Sequence, residues 1–135
     1  MNKLLLSCAV LAGLLIATHH LGQTTKVFSA SDVFAVDGDT LDHGDDRYRL
    51  VGFDTPETYW PQCAAEKALG LKAKARLTEL IQKAGQIKLI IEPDLDVHDR
   101  FLAVGRVAGE NVGNILISEG LARPYGGGKR LSWCI

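Results

Sequence analysis

The sequence lacks an excess of positive charge. Its 15 Lys and Arg residues are nearly balanced by 16 Asp and Glu residues, so the formal net charge is −1 at pH 7. Proteins that hold nucleic acid tightly and passively are usually basic, because they must neutralise the phosphates of the strand. The balance argues weakly against that class of protein. The charge balance is still compatible with a site in which an acidic cluster binds a divalent cation. Such a cation would supply positive charge locally.

Histidine and cysteine are also scarce. The chain has four histidines and three cysteines, and no pair of them has the spacing of a zinc site. Only Cys63 and Cys134 lie beyond the N-terminal segment. In an oxidising compartment two such cysteines are expected to pair, which would tie the end of the sequence to its middle. The alternative is two unrelated buried thiols.

The apolar run at the start of the sequence is short for a membrane span. It covers residues 4–17 after a single positive charge at Lys3, which is typical of the apolar part of a secretory signal. We therefore predict a signal peptide or an N-terminal anchor over residues 1–22 and one domain over residues 23–135. A signal peptide and an anchor both imply that the domain is periplasmic or secreted. The protein contacts a membrane only if the N-terminal segment is not cleaved.

No repeat or low-complexity linker interrupts the chain, which has room for one domain with a modest core. Apolar positions at helical spacing predict a helix between Cys63 and Ala84, with Gly85 as its stop. A short helix is expected over residues 112–119, and an irregular tail over 123–135. Turn residues and alternating apolar residues predict strands over 26–36, 40–43, 47–53, 86–92 and 101–108.

The order of these elements is three strands, a helix, two strands and a short helix. This order fits a mainly β fold with helices. The specific candidate is a five-stranded Greek-key barrel of the OB type, with one longer helix that plugs one end and one short helix. The pattern alone does not separate this barrel from a general α+β sandwich.

Acidic residues stand at the ends of two strands that would be neighbours in a barrel. Asp39 follows a tight turn, and Asp54 ends the third predicted strand. Both carboxylates can converge at one mouth, where Thr55, held extended by the proline that follows it, can add its carbonyl oxygen. Calcium prefers such hard oxygen ligands. Each acidic residue alone is more often an ordinary turn or strand-end residue, so the prediction of a calcium site depends on the combination.

Two arginines and a glutamate complete a possible catalytic set. Arg49 and Arg100 offer permanently charged guanidinium groups that can bind the oxygens of a phosphodiester. Glu57 can orient or deprotonate a water molecule, and a metal ion can polarise the phosphoryl group. Considered alone, Arg49 is more simply a strand-side ion pair and Arg100 a solvated loop charge. The nearby Trp60 can stack on a base, but is interpreted here as a partly buried packing residue.

Four stretches of the sequence resemble the staphylococcal-nuclease-like, or thermonuclease, family. They are VDGDT at 36–40, RLVGFDTPET at 49–58, DVHDRFLA at 96–103 and GLAR at 120–123. They occur in the family's order, and the second stretch is highly specific. The resemblance implies an OB barrel that hydrolyses DNA and RNA with one calcium ion. It also implies a supporting carboxylate at Asp37, metal ligands at Asp39, Asp54 and the Thr55 carbonyl, phosphate-binding groups at Arg49 and Arg100, and the proposed general base at Glu57.

The sequence departs from the best-known members of this family just before the second arginine. In those members a Lys-Tyr pair holds a terminal phosphate, whereas this chain has Val97 and His98. His98 can still donate a hydrogen bond, but Val97 cannot. We therefore predict cleavage mainly at internal bonds.

Together these features predict an exported, calcium-dependent nuclease that is a monomer, with nucleic acid as its substrate and no stable protein partner. One alternative is a non-catalytic OB module that binds single-stranded nucleic acid or another polyanion. That alternative expects at least one of the catalytic set to be missing, and more aromatic residues interleaved with basic ones. A calcium-stabilised structural domain is a second alternative, but it has no need for both arginines.

Overall fold

The structure is a computed structural model that describes residues 22–135. The predicted signal or anchor segment lies outside the described residues, apart from Gly22. No helix within the described range is both long and apolar enough to span a membrane. The strands are β1 Thr24–Ser29, β2 Phe34–Asp37, β3 Thr40–His43, β4 Asp46–Leu50, β5 Gly52–Asp54, β6 Gln86–Leu95, β7 Phe101–Val107, β8 Glu110–Asn111 and β9 Arg123–Tyr125, and the α-helices are α1 Ala64–Ala84 and α2 Val112–Ser118.

The large sheet curls into a half-barrel. Its hydrogen-bonded order is β1-β6-β7-β4-β3-β2, with β8 added to β7. The two edge strands, β1 and β2, follow each other in the chain across a single 3-10 turn at Ala30–Asp32, so the sheet bends back towards its own start. β4 and β7 are parallel, and the other neighbouring pairs are antiparallel. This mainly β architecture with two helices confirms the predicted OB-type fold.

The strand count differs from the predicted five. The strand expected over residues 26–36 is divided by the 3-10 turn, because its first half pairs with β6 and its second half with β3. The strand expected over 47–53 is divided at Val51, where β4 stays in the large sheet and β5 pairs with β9. The tail was expected to be irregular, but it begins with β9. At each of these places a strand pairs with a different neighbouring strand. The alternation of apolar and polar residues along one segment does not reveal such a change.

The long helix α1 closes one side of the curled sheet. Its buried apolar residues Ala73, Leu77 and Ile81 belong to the face that meets the core, and burial of one such leucine contributes about 1.5–3 kcal/mol. The helix begins after Cys63, whose Sγ accepts a hydrogen bond from the Glu66 N–H, and ends at Gly85 in the left-handed region. The predicted helix and its stop are confirmed.

Candidate active site

The predicted ligands Asp39 and Asp54 lie next to each other. Asp39 follows β2, Asp54 ends β5, and their residues are only 6% and 1% exposed. The Arg49 guanidinium lies between them, with Nη1 3.2 Å from Asp39 Oδ2 and Nη2 3.8 Å from Asp54 Oδ1. The Thr55 N–H donates to Asp39 Oδ2 over 3.1 Å. The fold therefore brings all three predicted ligand residues together.

The oxygen atoms of this group fit a hard cation. Asp54 Oδ1 and Thr55 Oγ1 are buried and make no hydrogen bond with the described residues. Buried polar atoms in folded proteins are almost always paired. Asp54 Oδ1 has the charged Arg130 guanidinium 2.6 Å away, whereas Thr55 Oγ1 has no partner among the described residues. Carboxylate and carbonyl oxygens, without nitrogen or sulfur, are the donor set that calcium prefers.

The charge on Asp39 is costly where it lies. Burial raises the pKa of Asp39 above its ordinary value, and the Arg49 charge and the hydrogen bonds from Thr55 and Thr40 oppose this effect only in part. A cation close to a buried carboxylate favours its ionised form. The cost of the charge at Asp39 therefore comes mainly from its burial, and the Arg49 guanidinium offsets this cost only in part.

The turn before Asp39 is fastened to the segment of residues 54–58, here called the elbow, which carries Glu57. Thr58 Oγ1 donates a hydrogen bond to Asp37 Oδ1, so Asp37 holds the end of this elbow. Gly38 lets this turn pack tightly, because a Cβ there would lie 2.8 Å from the methyl group of Thr55. The Asp-Gly-Asp turn thus fixes both the ligands and the elbow.

Two residues of α1, which no sequence pattern singled out, hold the elbow from the other side. Glu66 is 5% exposed, and its carboxylate accepts hydrogen bonds from the Glu57 N–H at 3.3 Å and the Gln62 N–H at 2.7 Å. A Cβ on Gly70 would lie 2.7 Å from the Pro56 carbonyl oxygen. A glutamate at the third position of a helix is a sequence signal for a contact with the backbone N–H of the capping residue. Here Glu66 accepts instead from the N–H groups of Gln62 and Glu57.

The two predicted phosphate-binding arginines line a common cavity of about 430 Å³. Arg49 donates to the carbonyl oxygens of Leu50 and Phe53 over 2.6 and 3.0 Å, while Arg100 lies 2.8 Å from Asp96 Oδ2. The ion pair that the sequence allowed for Arg49 is therefore present, and Arg100 is paired as well. Both guanidinium groups would have to exchange some of these contacts to bind a phosphate.

A second cleft, of about 480 Å³, joins Arg100 to Glu57 and to exposed aromatic side chains. Trp60 is 86% exposed, so its interpretation as a partly buried packing residue is wrong. Phe34 and Tyr59 line the same cleft, and the Lys74 ammonium lies over both rings, 5.1 and 5.6 Å from their centroids. The fold thus collects aromatic and basic residues that are distant in the sequence, an arrangement that suits contacts with unpaired bases.

A disulfide bond between Cys63 and Cys134 fastens the tail across the site. The predicted pairing is therefore present. Both cysteines lie close to Glu66 in a cluster that could suit a metal, but bridged sulfurs are not thiolate ligands. Within the tail, the Trp133 Nε1–H donates to Asp54 Oδ2 over 3.2 Å, so the bridge brings the tail onto a predicted metal ligand.

Arg130, which no sequence pattern predicts as a site residue, contacts three members of the site. Its Nη2 lies 2.6 Å from Asp54 Oδ1 and donates to the Thr55 carbonyl oxygen over 3.2 Å, and its Nη1 lies 2.5 Å from Glu57 Oε1. At 2.6 Å, the contact with Asp54 Oδ1 is a close charge pair. Burial acts to lower the pKa of Arg130, but the contacts with Glu57 and Asp54 outweigh it and raise that pKa. The group stays charged.

The family model described as "Staphylococcal nuclease homologue" matches residues 47–130, more than half of the chain. The matched range contains Arg49, Asp54, Glu57 and Arg100 and begins after Asp39. No curated protein matches the chain.

Proposed function

The chain belongs to the staphylococcal nuclease family, and on that premise we propose that it is an exported, calcium-dependent nuclease acting on DNA or RNA. Membership supports a nuclease or a nucleic-acid-binding OB module. The observation that favours the enzyme is the pair of buried carboxylates, Asp39 and Asp54, gathered around Arg49 and beside Thr55. Neither passive binding nor packing requires two buried carboxylates at the mouth of a barrel, whereas a metal-assisted hydrolase does.

In this proposal each residue has one task. Asp39, Asp54 and the Thr55 carbonyl would hold one calcium ion, which supplies positive charge to the phosphoryl oxygens when it is bound. Glu57 accepts the proton of the attacking water, and its side chain is 30% exposed in the structure, so a water molecule can reach it. Arg49 and Arg100 donate hydrogen bonds to the phosphoryl oxygens as negative charge builds up on them.

The disulfide supports export, because such bonds form and persist mainly in oxidising compartments. We propose that residues 1–22 act as a signal peptide or an anchor, and that the domain works as a monomer in the periplasm or outside the cell.

Cleavage at internal bonds is the expected mode. Val97 is 93% exposed and offers no charge to a terminal phosphate. His98 lines the cleft that contains Arg100 and can donate a hydrogen bond only. Early release of mononucleotides from long, uniformly labelled DNA would contradict this mode.

A non-catalytic OB module is the second candidate, and the exposed aromatic residues of the 480 Å³ cleft favour it. Phe34, Tyr59 and Trp60 would stack on bases, and both arginines would keep their present ion pairs. This candidate predicts binding of single strands without any cleavage.

The deciding experiment incubates purified residues 23–135 with plasmid DNA and with RNA, in calcium, magnesium or chelator. Cleavage should require calcium, because magnesium demands a stricter octahedron and gives up its waters reluctantly. Glu57→Gln is the matched variant, since it keeps the size of the side chain but removes the proton acceptor. Equal turnover in magnesium or in chelator would exclude the calcium assignment, and binding without cleavage would favour the second candidate.

A further inference from the structure

Arg130 contacts two of the three residues assigned to calcium, at Asp54 Oδ1 and at the Thr55 carbonyl oxygen. One nitrogen, Nη2, reaches both Asp54 Oδ1 at 2.6 Å and the Thr55 carbonyl oxygen at 3.2 Å. Calcium–oxygen distances are 2.3–2.6 Å, so the ion and this nitrogen need the same space beside Asp54. Two positive charges held a few ångströms apart also repel each other. The guanidinium and the ion therefore exclude each other at Asp54.

We propose that Arg130 is a tethered cation that competes with calcium for Asp54 and sets the calcium affinity of the site. This inference rests on the proposed calcium site. In the absence of the ion, Arg130 neutralises a carboxylate that is only 1% exposed. An unpaired charge buried to that extent is costly, so the guanidinium supplies the opposite charge beside Asp54 until the ion displaces it.

The tail is built to hold Arg130 in place. It leaves β9, which is paired with β5, and it is fastened again at Cys134 through the bridge to Cys63. Between these points, Trp133 donates to Asp54 Oδ2. A group tethered at both sides acts at a high effective concentration, which lets one guanidinium compete with a divalent ion.

The same side chain also engages the proposed base. Arg130 Nη1 lies 2.5 Å from Glu57 Oε1, so Glu57 is paired while Arg130 is in place. Movement of the guanidinium away from Asp54 would weaken this second contact as well. Calcium binding would then be coupled to the release of Glu57, with Arg130 as a positioning residue that acts through both carboxylates.

The test measures calcium binding by isothermal titration calorimetry and melting temperature by circular dichroism on the oxidised domain. Arg130→Gln should bind calcium about tenfold more tightly than the parent, because the competitor is gone. In chelator it should melt at a lower temperature than the parent, and calcium should remove that deficit. Arg130→Lys keeps the charge but loses the planar guanidinium group. Its affinity for calcium should therefore lie between those of the parent and of Arg130→Gln. The neighbouring Lys129→Gln is the control and should behave as the parent does.

Each outcome decides the matter. Unchanged or weaker calcium binding in Arg130→Gln, with normal binding in the parent, would overturn the competition and leave the calcium nuclease intact. No calcium binding in any variant would overturn both. If Arg130→Gln does not fold in chelator, folding on addition of calcium supports the proposal. If it folds in neither condition, Arg130→Lys decides, and parental affinity in that variant overturns the proposal.

Discussion

Removal of the disulfide should destabilise the domain mainly by freeing the unfolded chain. The double variant Cys63→Ser, Cys134→Ser is the suitable perturbation, because serine at position 63 can still cap α1. The bridged residues are 71 positions apart. On the chain-entropy model a loop of that length contributes about 4 kcal/mol at 25 °C, a large part of the stability of a small domain.

Urea unfolding followed by circular dichroism measures this loss. With a slope of about 2 kcal/mol per molar urea, the midpoint of the double variant should fall by about 2 M. Wild type in reductant should fall by a similar amount, whereas the double variant should not respond to reductant. Peptide mass mapping of the purified protein should show the two cysteines joined without reductant and separate after reduction.

Two results would refute this reasoning. Free thiols in the protein purified without reductant, with the same midpoint before and after reduction, would show that the bridge does not form. A loss far above 4 kcal/mol would show that chain entropy is not the main contribution. In that case the contacts of Arg130 and Trp133 with Asp54, which the bridge holds in place, would account for the excess.

Four further substitutions test the residues in and around the site. Arg49→Lys and Arg100→Lys keep the charge but lose the planar fork, so each should lower the initial rate of plasmid cleavage by about a hundredfold or more; near-normal rates would exclude phosphate binding by these residues. Gly70→Ala forces a methyl group to within 2.7 Å of an elbow carbonyl and should cost about 1–3 kcal/mol in urea unfolding. Its control is Gly126→Ala, where the added atom meets nothing within 4 Å, and equal effects would refute the close packing. Although burial acts to raise it, hydrogen bonds from Arg100 and its neighbours hold the pKa of Asp96 below its ordinary value, so the stability from this carboxylate is present above about pH 4 and is lost as the pH falls. Asp96→Asn should therefore lose less stability between about pH 5 and pH 3 than the parent, and parallel curves would contradict this.

Local features of the sequence predicted the parts of the fold that depend on near neighbours. Helix α1 could be predicted because its apolar spacing, its first turn and Gly85 all lie within one segment. Strand Thr40–His43 was bounded by turn residues in the same way. The divided strand at Val51 could not be predicted, because the change of partner depends on β9, far along the chain.

In the candidate site, too, some features follow from the local sequence and others from the tertiary structure. The sequence by itself determined which residues can carry the chemistry, since carboxylates at two strand ends, a proline-held carbonyl and two arginines are chemical properties of the residues themselves. Only the tertiary structure decided what those residues contact. Arg130 donates to the carbonyl of a residue 75 positions away, and Trp60 is 86% exposed within the part of the chain that the structure describes. Such contacts depend on the path of the whole chain, here closed by the bridge between Cys63 and Cys134, and residue types and spacing do not encode that path locally.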